Sequence, residues 1–488
     1  METNWRPTYV FDFGSGIARN GAVAWSCAQI ESGQSQHNLY HLDDMPLMSL
    51  AGPLSPEFSD LLDVASAIHI ADRIALREIP DDPRLPDDRW HRKLKLIVPV
   101  RHASRWRQRA VLARLNDMLA FLTDDEWHFE FIRRIAAPRA SELQISYLPP
   151  MSESVQVALH SGGLDSLYAL ATLRERFTTS LLVPLTVVSS DRIRQASGDV
   201  IKCLRQESSA RPSKIRPVQP KIEVPRRRHP HVDQEPSQRA RAVLFLASGI
   251  VAAAQTGRSC LYVSENGIGA ISLPTTSDHW GARATKAMHP ITLHGFAALA
   301  SLVLDRPLSI ENLGLFLTKG QIVQRLCNQG LTEAVQTTVT CDRFSYLGEA
   351  CGRCSSCILR RVALFTAGID DKNTSYRFDV LDPAAVLANG KTRHLLAMTS
   401  QFEALRQAVT SVRAYAALDG AFPDLFRLVS MAQTLGIAPE LVEQRLLRLY
   451  RTYVAEFDAF ISKINGSGRT SPVHITQLPL TAVSHAIG

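Results

Sequence analysis

Between residues 155 and 264, apolar runs of strand length alternate with longer segments whose apolar positions recur at helical spacing. Strands are expected over 155–160, 181–187, 214–224 and 259–264, with helices over 165–177, 198–209 and 237–256 between them. That alternation builds parallel strands joined by crossover helices, an α/β fold with a doubly wound sheet. Ahead of it, strands are expected over 9–13, 94–100 and 142–148 and a helix over 104–122, giving an α+β accessory domain in residues 1–150. The acidic, proline-rich stretch 80–88 reads as a connecting loop, and Trp90, Trp106 and Trp127 as packing residues. Residues 151–370 hold the central domain, and helical spacing then returns in 395–417, 423–435 and 439–463. Residues 371–463 are therefore expected to form a helical cap or partner-binding bundle, and 464–488 a flexible tail.

Composition narrows the class. The chain has 488 residues, 45% of them hydrophobic and 21% charged, as in soluble globular proteins of two or three domains. The opening METNWRPTYVFDFG has no cationic region followed by an apolar stretch. The apolar runs 242–255 and 291–304 fall short of the roughly 20 residues a membrane span needs and read as buried helices. The expectation is a cytoplasmic protein with no membrane segment. Between Asp191 and Arg241 there are 13 Lys/Arg against 6 Asp/Glu, a net +7 that equals the excess of the whole chain. Such a patch can meet nucleic-acid phosphates. Without interleaved aromatics or a nucleic-acid module, that partner is possible but not favoured.

The chemistry concentrates in Ser161-Gly162-Gly163-Leu164-Asp165-Ser166, between the expected strand at 155–160 and the expected helix at 165–177. Gly162 and Gly163 allow a tight turn and close approach of a ligand to the backbone. The helix start presents unpaired N–H groups and the positive end of a dipole, which favour phosphate. Ser161 and Ser166 add hydroxyl donors. The site reads as a pyrophosphate cradle for ATP, with Mg²⁺ offsetting the charge. The lysine of a GxxxxGK[ST] loop is absent. Asp165 either contacts the metal or caps the helix.

Four of the eight cysteines cluster as Cys341, Cys351, Cys354 and Cys357, a C-x9-C-x2-C-x2-C pattern. Four thiolates at this spacing complete a tetrahedral zinc shell, and they also suit a [4Fe–4S] cluster. A closed shell has no open position, so its role is structural. Cys27, Cys203, Cys260 and Cys327 are scattered and read as packing residues.

The string at 161–166 resembles the PP-loop of the N-type ATP pyrophosphatases, which cleave ATP to AMP and pyrophosphate while adenylating a substrate oxygen. Together with Thr338-Val339-Thr340-Cys341 and the box Cys351-Gly352-Arg353-Cys354-Ser355-Ser356-Cys357-Ile358-Leu359-Arg360, it resembles the QueC family of 7-cyano-7-deazaguanine synthases over roughly 155–365. The resemblance implies a PP-loop α/β domain with a zinc knuckle and activation of a 7-deazapurine carboxylate by ATP. Amide or nitrile formation then follows, with catalytic roles falling to Asp165, Ser166 and Arg241. Arg241 matches the family's substrate-side arginine, but Ala242 stands where asparagine is expected, which opens the identity of the substrate. A solvent-facing helix arginine is the other reading of Arg241.

Glu265 and Asn266, after the strand at 259–264, stand where a doubly wound sheet binds ligands, and are expected to read a purine-like edge or to form an Asn-Gly turn. Arg283, Lys286 and His289 form a basic loop that either closes over phosphates or is solvated. The N-terminal extension, with Asp72-Arg73, Trp90-His91-Arg92, Pro99-Val100-Arg101 and Trp106, resembles the QueC-like component of Qat-type anti-phage defence operons. That resemblance implies a protein partner from the same operon. Two other functions stay open: a PP-loop RNA-modifying enzyme of the thiolation type, and an ATP-sensing scaffold without catalysis.

Overall fold

A computed structural model describes residues 6–14, 22–29, 33–77, 91–143, 154–206, 214–223, 235, 237, 239–274, 285–371, 374–379 and 393–466. Two sheets form its frame. The first joins β1 (Tyr9–Asp12), β2 (Ala22–Gln29), β3 (Gln34–Asp43), β4 (Lys93–Val100), β5 (Glu126–Arg133) and β8 (Lys221–Glu223) in the order β5-β4-β1-β2-β3-β8. Its β5-β4-β1 half is parallel and the rest antiparallel. Along β4, Leu94, Leu96, Val98 and Val100 are buried while the residues between them are half-buried, so one face is covered more fully than the other.

The second sheet orders β6 (Val155–Leu159), β7 (Leu181–Leu185), β9 (Cys260–Val263) and β10 (Ser309–Asn312) as β10-β9-β6-β7, all parallel. Parallel bridges from Leu182 to Ile215, Leu185 to Val218 and Val188 to Lys221 extend it by the segment 215–221. Counted in chain order, its five extended segments lie 3-2-1-4-5. The chain leaves β6 toward one neighbour and returns to its other side, and the crevice at such a switch point is where open α/β sheets bind ligands. The expected strand at 214–224 is thus shared: its first part edges the second sheet, and its end pairs with β3 of the first.

Helices 56–74 and 109–123 lie on the first sheet and helices 241–255 and 290–304 on the second, and the two pairs pack on each other. The two apolar runs considered for membrane spans are within this interior layer, and no described helix is long and apolar enough to cross a membrane. The expected helix at 104–122 is broken into 103–106 and 109–123, and the strand expected at 142–148 begins as a 3-10 turn at Ala140–Glu142, its remainder from 144 lying outside the described residues. Strands β2, β3 and β5 and helix 56–74 add to what the spacing predicts.

On the other face of the second sheet, helices 164–176, 191–206, 319–328 and 332–337 share one core. Helices 393–410, 414–421, 424–434 and 439–466 build a separate core that takes in Ile271, Leu273, Ile358 and Val362. The C-terminal helices therefore pack on the short helix 267–271 and the cysteine-bearing helix 355–366. Of the stretch 464–488, expected as a flexible tail, residues 464–466 instead continue the last helix, and 467–488, like the basic run Arg226-Arg227-Arg228, lie outside the described residues.

Candidate active site

The SGGLDS loop begins where β6 ends, at the switch point. Beneath it His160 is buried, its backbone N–H donating to Leu185 O and its carbonyl accepting from Thr186 Oγ1 at 2.6 Å. Burial pushes the His160 imidazole down to about 4, so it is a neutral pillar at physiological pH. Gly162 has φ +81°, and a Cβ there would lie 2.9 Å from the Ala196 carbonyl carbon and the Ser197 nitrogen. Only glycine meets both demands. Gly163 precedes helix 164–176 as an extended N-cap without a side-chain cap, leaving the first-turn amides open. Leu164, fully buried, anchors the loop in the core.

The two serines differ in burial. Ser166 is buried and folds the loop on itself, its hydroxyl donating to Gly163 O at 2.9 Å and accepting from Ser161 N at 3.3 Å. Ser161 is exposed, and its hydroxyl donates to Ser166 Oγ at 3.5 Å.

Asp165 does not cap its helix. Gly163 holds the N-cap position, and the Asp165 carboxylate reaches across the crevice. Its Oδ1 accepts from the backbone N and Nδ2 of Asn266 at 3.0 and 3.1 Å, and its Oδ2 from Lys319 Nζ at 2.6 Å. Asn266 is fully buried and fully used: Nδ2 also donates to Glu265 Oε1 at 2.8 Å, and Oδ1 accepts from Gly269 N at 3.1 Å as the cap of helix 267–271. Glu265 is half-buried. Burial, and then the charge of Asp165, push Glu265 up to about 8 against the pull of Lys319. Asp165, Glu265 and Asn266 are thus one cluster, tied by a lysine the sequence reading did not single out. A signal for it existed: Thr318 and Gln321 form a reciprocal capping box that starts helix 319–328 just beyond β10, placing Lys319 in its first turn.

Arg241 opens helix 241–255, is exposed, and lies with its guanidinium 5.3 Å over the Phe245 ring. Asp342 acts electrostatically on Arg241, Glu265 and Lys319 alike, so the residue after Cys341 belongs to the same charged surroundings. Lys286 and His289 are both buried against Phe121 of the N-terminal region, the ammonium 4.6 Å and the imidazole 4.9 Å from its ring centre. His289 also caps helix 290–304, accepting from Ile291 N. Neither is solvated; Arg283 lies outside the described residues.

The four cysteine sulfurs lie within 4.8 Å of one another, all buried, with Cys351 and Cys357 sulfurs 4.0 Å apart. Zn–S bonds of about 2.3 Å give a tetrahedron with edges of about 3.8 Å, close to this spacing, whereas an iron–sulfur cubane holds its four thiolates further apart. Backbone N–H groups of Arg343 and Cys351 donate to Cys341 Sγ and that of Cys354 to Cys351 Sγ, which offsets thiolate charge. Gly352 at φ +77° makes the knuckle turn, and a Cβ there would strike Phe378 O. The donor set fits one zinc ion.

The knuckle also reaches the loop. Arg360, buried on helix 355–366, donates to the hydroxyls of Thr338 at 2.9 Å and Thr340 at 3.3 Å. Between them Val339 N donates to Gly162 O at 2.9 Å. Metal box, threonine strap and glycine turn form one connected unit.

Glycine turn, open helix start and switch point together form a crevice suited to an anionic ligand on an α/β sheet, coupled to a four-cysteine box that could hold a metal ion. Residues 221–368, less than half of the chain, match the family described as "Queuosine biosynthesis protein QueC". The matched segment begins downstream of SGGLDS and takes in Arg241, Glu265, Asn266, Lys319 and the four cysteines. A 7-cyano-7-deazaguanine synthase of Acinetobacter baylyi is 27% identical over 132 residues, covering 27% of this chain and 54% of that protein. Those of Alcanivorax borkumensis and Cellvibrio japonicus are each 36% identical, over 93 and 96 residues, covering 18% of this chain and 40% of theirs. The chain spans about half the length, or less, of the curated relatives it matches.

Proposed function

We propose that this protein uses ATP, with release of AMP and pyrophosphate, to activate a carboxylate on a 7-deazapurine and then forms an amide or nitrile. The observation that carries the reading is Gly162: a left-handed turn at the switch point, packed so that no side chain fits, beside an uncapped helix start. In this reading the triphosphate lies on residues 161–166, against the open amides of helix 164–176, with Lys319 and Arg241 as flanking cations. In the structure the Asp165 carboxylate accepts from Asn266 and Lys319, and Mg²⁺ would come with the triphosphate. Mg²⁺ supplies charge neutralisation there. Zinc holds the knuckle and, through Arg360 and Val339, the back of the loop.

The substrate carboxylate attacks the α-phosphorus, pyrophosphate leaves, and an amine displaces AMP to give the amide. A nitrile requires a second activation of that amide oxygen and its elimination. Placement and charge neutralisation suffice, without a nucleophilic side chain. Glu265, neutral below about 8, offers a donor and an acceptor to a purine-like edge.

The acceptor amine is ammonia or an amine on a protein. The resemblance to Qat-type defence components favours a protein of the same operon, and a mass increase on that protein tests it. The residues carrying that resemblance, among them Asp72, Arg92, Arg101 and Trp106, are engaged in packing and ion pairs. The decisive assay incubates the protein with labelled ATP, Mg²⁺ and 7-carboxy-7-deazaguanine, with and without ammonia. AMP that depends on the deazapurine supports the reading, AMP that depends only on RNA supports an RNA-modifying enzyme, and no AMP under any condition removes both.

A further inference from the structure

The cluster around Asp165 has two arms, the Asn266–Gly267 turn and the Thr318–Lys319 turn, and one C-terminal helix touches both. Leu449 of helix 439–466 is packed so closely on the first that a Cβ on Gly267 would lie 2.5 Å from its side chain. Two helical turns further on, and so on the same face, Glu456 meets the second arm. Its Oε1 accepts from Thr318 Oγ1 at 2.5 Å. Gly320 leaves room for it: a Cβ there would lie 2.6 Å from the same oxygen. Tyr453 lies between the two contacts along the helix, and the face is otherwise apolar, with Leu446, Leu449, Tyr450, Tyr453 and Phe457 buried.

A carboxylate is an expensive choice there. Glu456 is 8% exposed, and no ion pair to it occurs among the described residues. Burial pushes it up to about 7, opposed only by the Thr318 hydrogen bond. A leucine of similar volume would join the surrounding core at lower cost. What the carboxylate adds is a directed bond to Thr318, the residue that sets the backbone of Lys319. The same hydroxyl accepts from Gln321 N at 3.1 Å, so Thr318 is held on both sides. Lys319 in turn holds Asp165 at the head of the loop helix.

We propose that Glu456 is a positioning residue of the ATP site, through which the C-terminal helical region sets Lys319 and Asp165 beneath the phosphate loop. This rests on the ATP reading given above and extends it: nucleotide binding is coupled to the packing of helix 439–466. Whatever shifts that helix along its axis also shifts both arms of the Asp165 cluster.

The test measures Mg·ATP affinity by calorimetry on the full-length, zinc-loaded protein. Glu456→Leu fills the space and removes the acceptor, while Glu456→Gln keeps an acceptor oxygen in place. Gly320→Ala puts a methyl group where the carboxylate lies. Loss of such positioning weakens ATP binding by about tenfold or more in the Leu and Ala variants, whereas Gln stays within about twofold of wild type. Zinc content and thermal midpoint are expected to stay near wild type in Glu456→Leu, which separates positioning from unfolding. Wild-type affinity in both Glu456→Leu and Gly320→Ala overturns this inference and leaves the site reading standing. Failure of the wild-type protein itself to bind Mg·ATP removes the site reading first.

Discussion

Two buried charge clusters stand on either side of helix 241–255, and they are built differently. In the N-terminal region Arg77 and Arg92 face Asp72 and Asp125, two bases for two acids. Arg92 donates to Asp72 Oδ1 at 2.6 Å and to Asp125 Oδ2 at 2.7 Å, and Arg77 holds both oxygens of Asp125. The remaining oxygen of Asp72 accepts from Ala240 N at 2.8 Å, capping from outside the helix that Arg241 opens. All four side chains are buried. The cluster at the loop is unbalanced. Asp165 and Glu265 share Lys319, Glu265 is driven toward its neutral form, and the adjoining helix start lacks a side-chain cap. A closed, balanced network fixes architecture, while an unbalanced one beside open donors is poised for a charged ligand.

The largest effect is expected at the unbalanced cluster. Ser161→Ala combined with Asp165→Ala removes an exposed loop hydroxyl and releases Lys319, and AMP release should fall by about 10³-fold or more. Zinc content, set by sulfurs on another element, should be unchanged. Turnover retained in that double variant would take the loop out of the mechanism.

Much of this site could be read from the chain because its signals are local. SGGLDS needs only a strand before it and a helix after it, and CGRCSSC carries its own spacing. Lys319 and Asp342 escaped because each works across the fold, on partners far away in sequence. Helix 56–74 escaped for a different reason. Sandwiched between layers, it is buried on nearly every side, so no polar face marks a helical period, and Asp60, Asp63, His69 and Asp72 interrupt its apolar run although all four are buried. Strands β2 and β3 pair with each other antiparallel, through a register that alternation in so polar a segment as QSQHNLYHLD does not announce. Arg241 was found by its motif, and Asp72 was singled out as part of a resemblance, but nothing in the sequence announced the cap it gives the helix of Arg241.

The balanced cluster should respond in stability before activity. Asp72→Ala leaves Arg77 and Arg92 to share Asp125 alone and strands the Ala240 amide in the interior, a loss of about 3–5 kcal/mol by analogy with other broken buried pairs. Thermal unfolding should show it with zinc still bound. The double variant Asp72→Ala with Arg92→Met removes both charges and should recover part of that loss. Should the single variant melt like wild type, the network would be ornament and the contrast between the clusters would collapse.

The smallest effect, and the sharpest for the comparison, is the pH dependence of Glu265. Its acid is raised in the folded protein from an ordinary 4.5 to about 8, first by burial and then by Asp165. A carboxyl raised on folding binds its proton more tightly in the native state. Its contribution is therefore fully present below about 4.5 and is lost as pH climbs through about 8. The wild-type thermal midpoint should carry a downward component over that window, and Glu265→Gln, always neutral, should lack it. The difference at pH 8.5 is expected to be about 1 kcal/mol in favour of the variant, less than the whole shift would carry, because Lys319 shares the charge and Glu265 is only half-buried. Asp72→Asn gives the control, since its partners are cations that keep their charge throughout the same range. Equal pH slopes for wild type and Glu265→Gln would mean that folding does not raise the Glu265 acid, and the contrast drawn between the two clusters would lose its electrostatic basis.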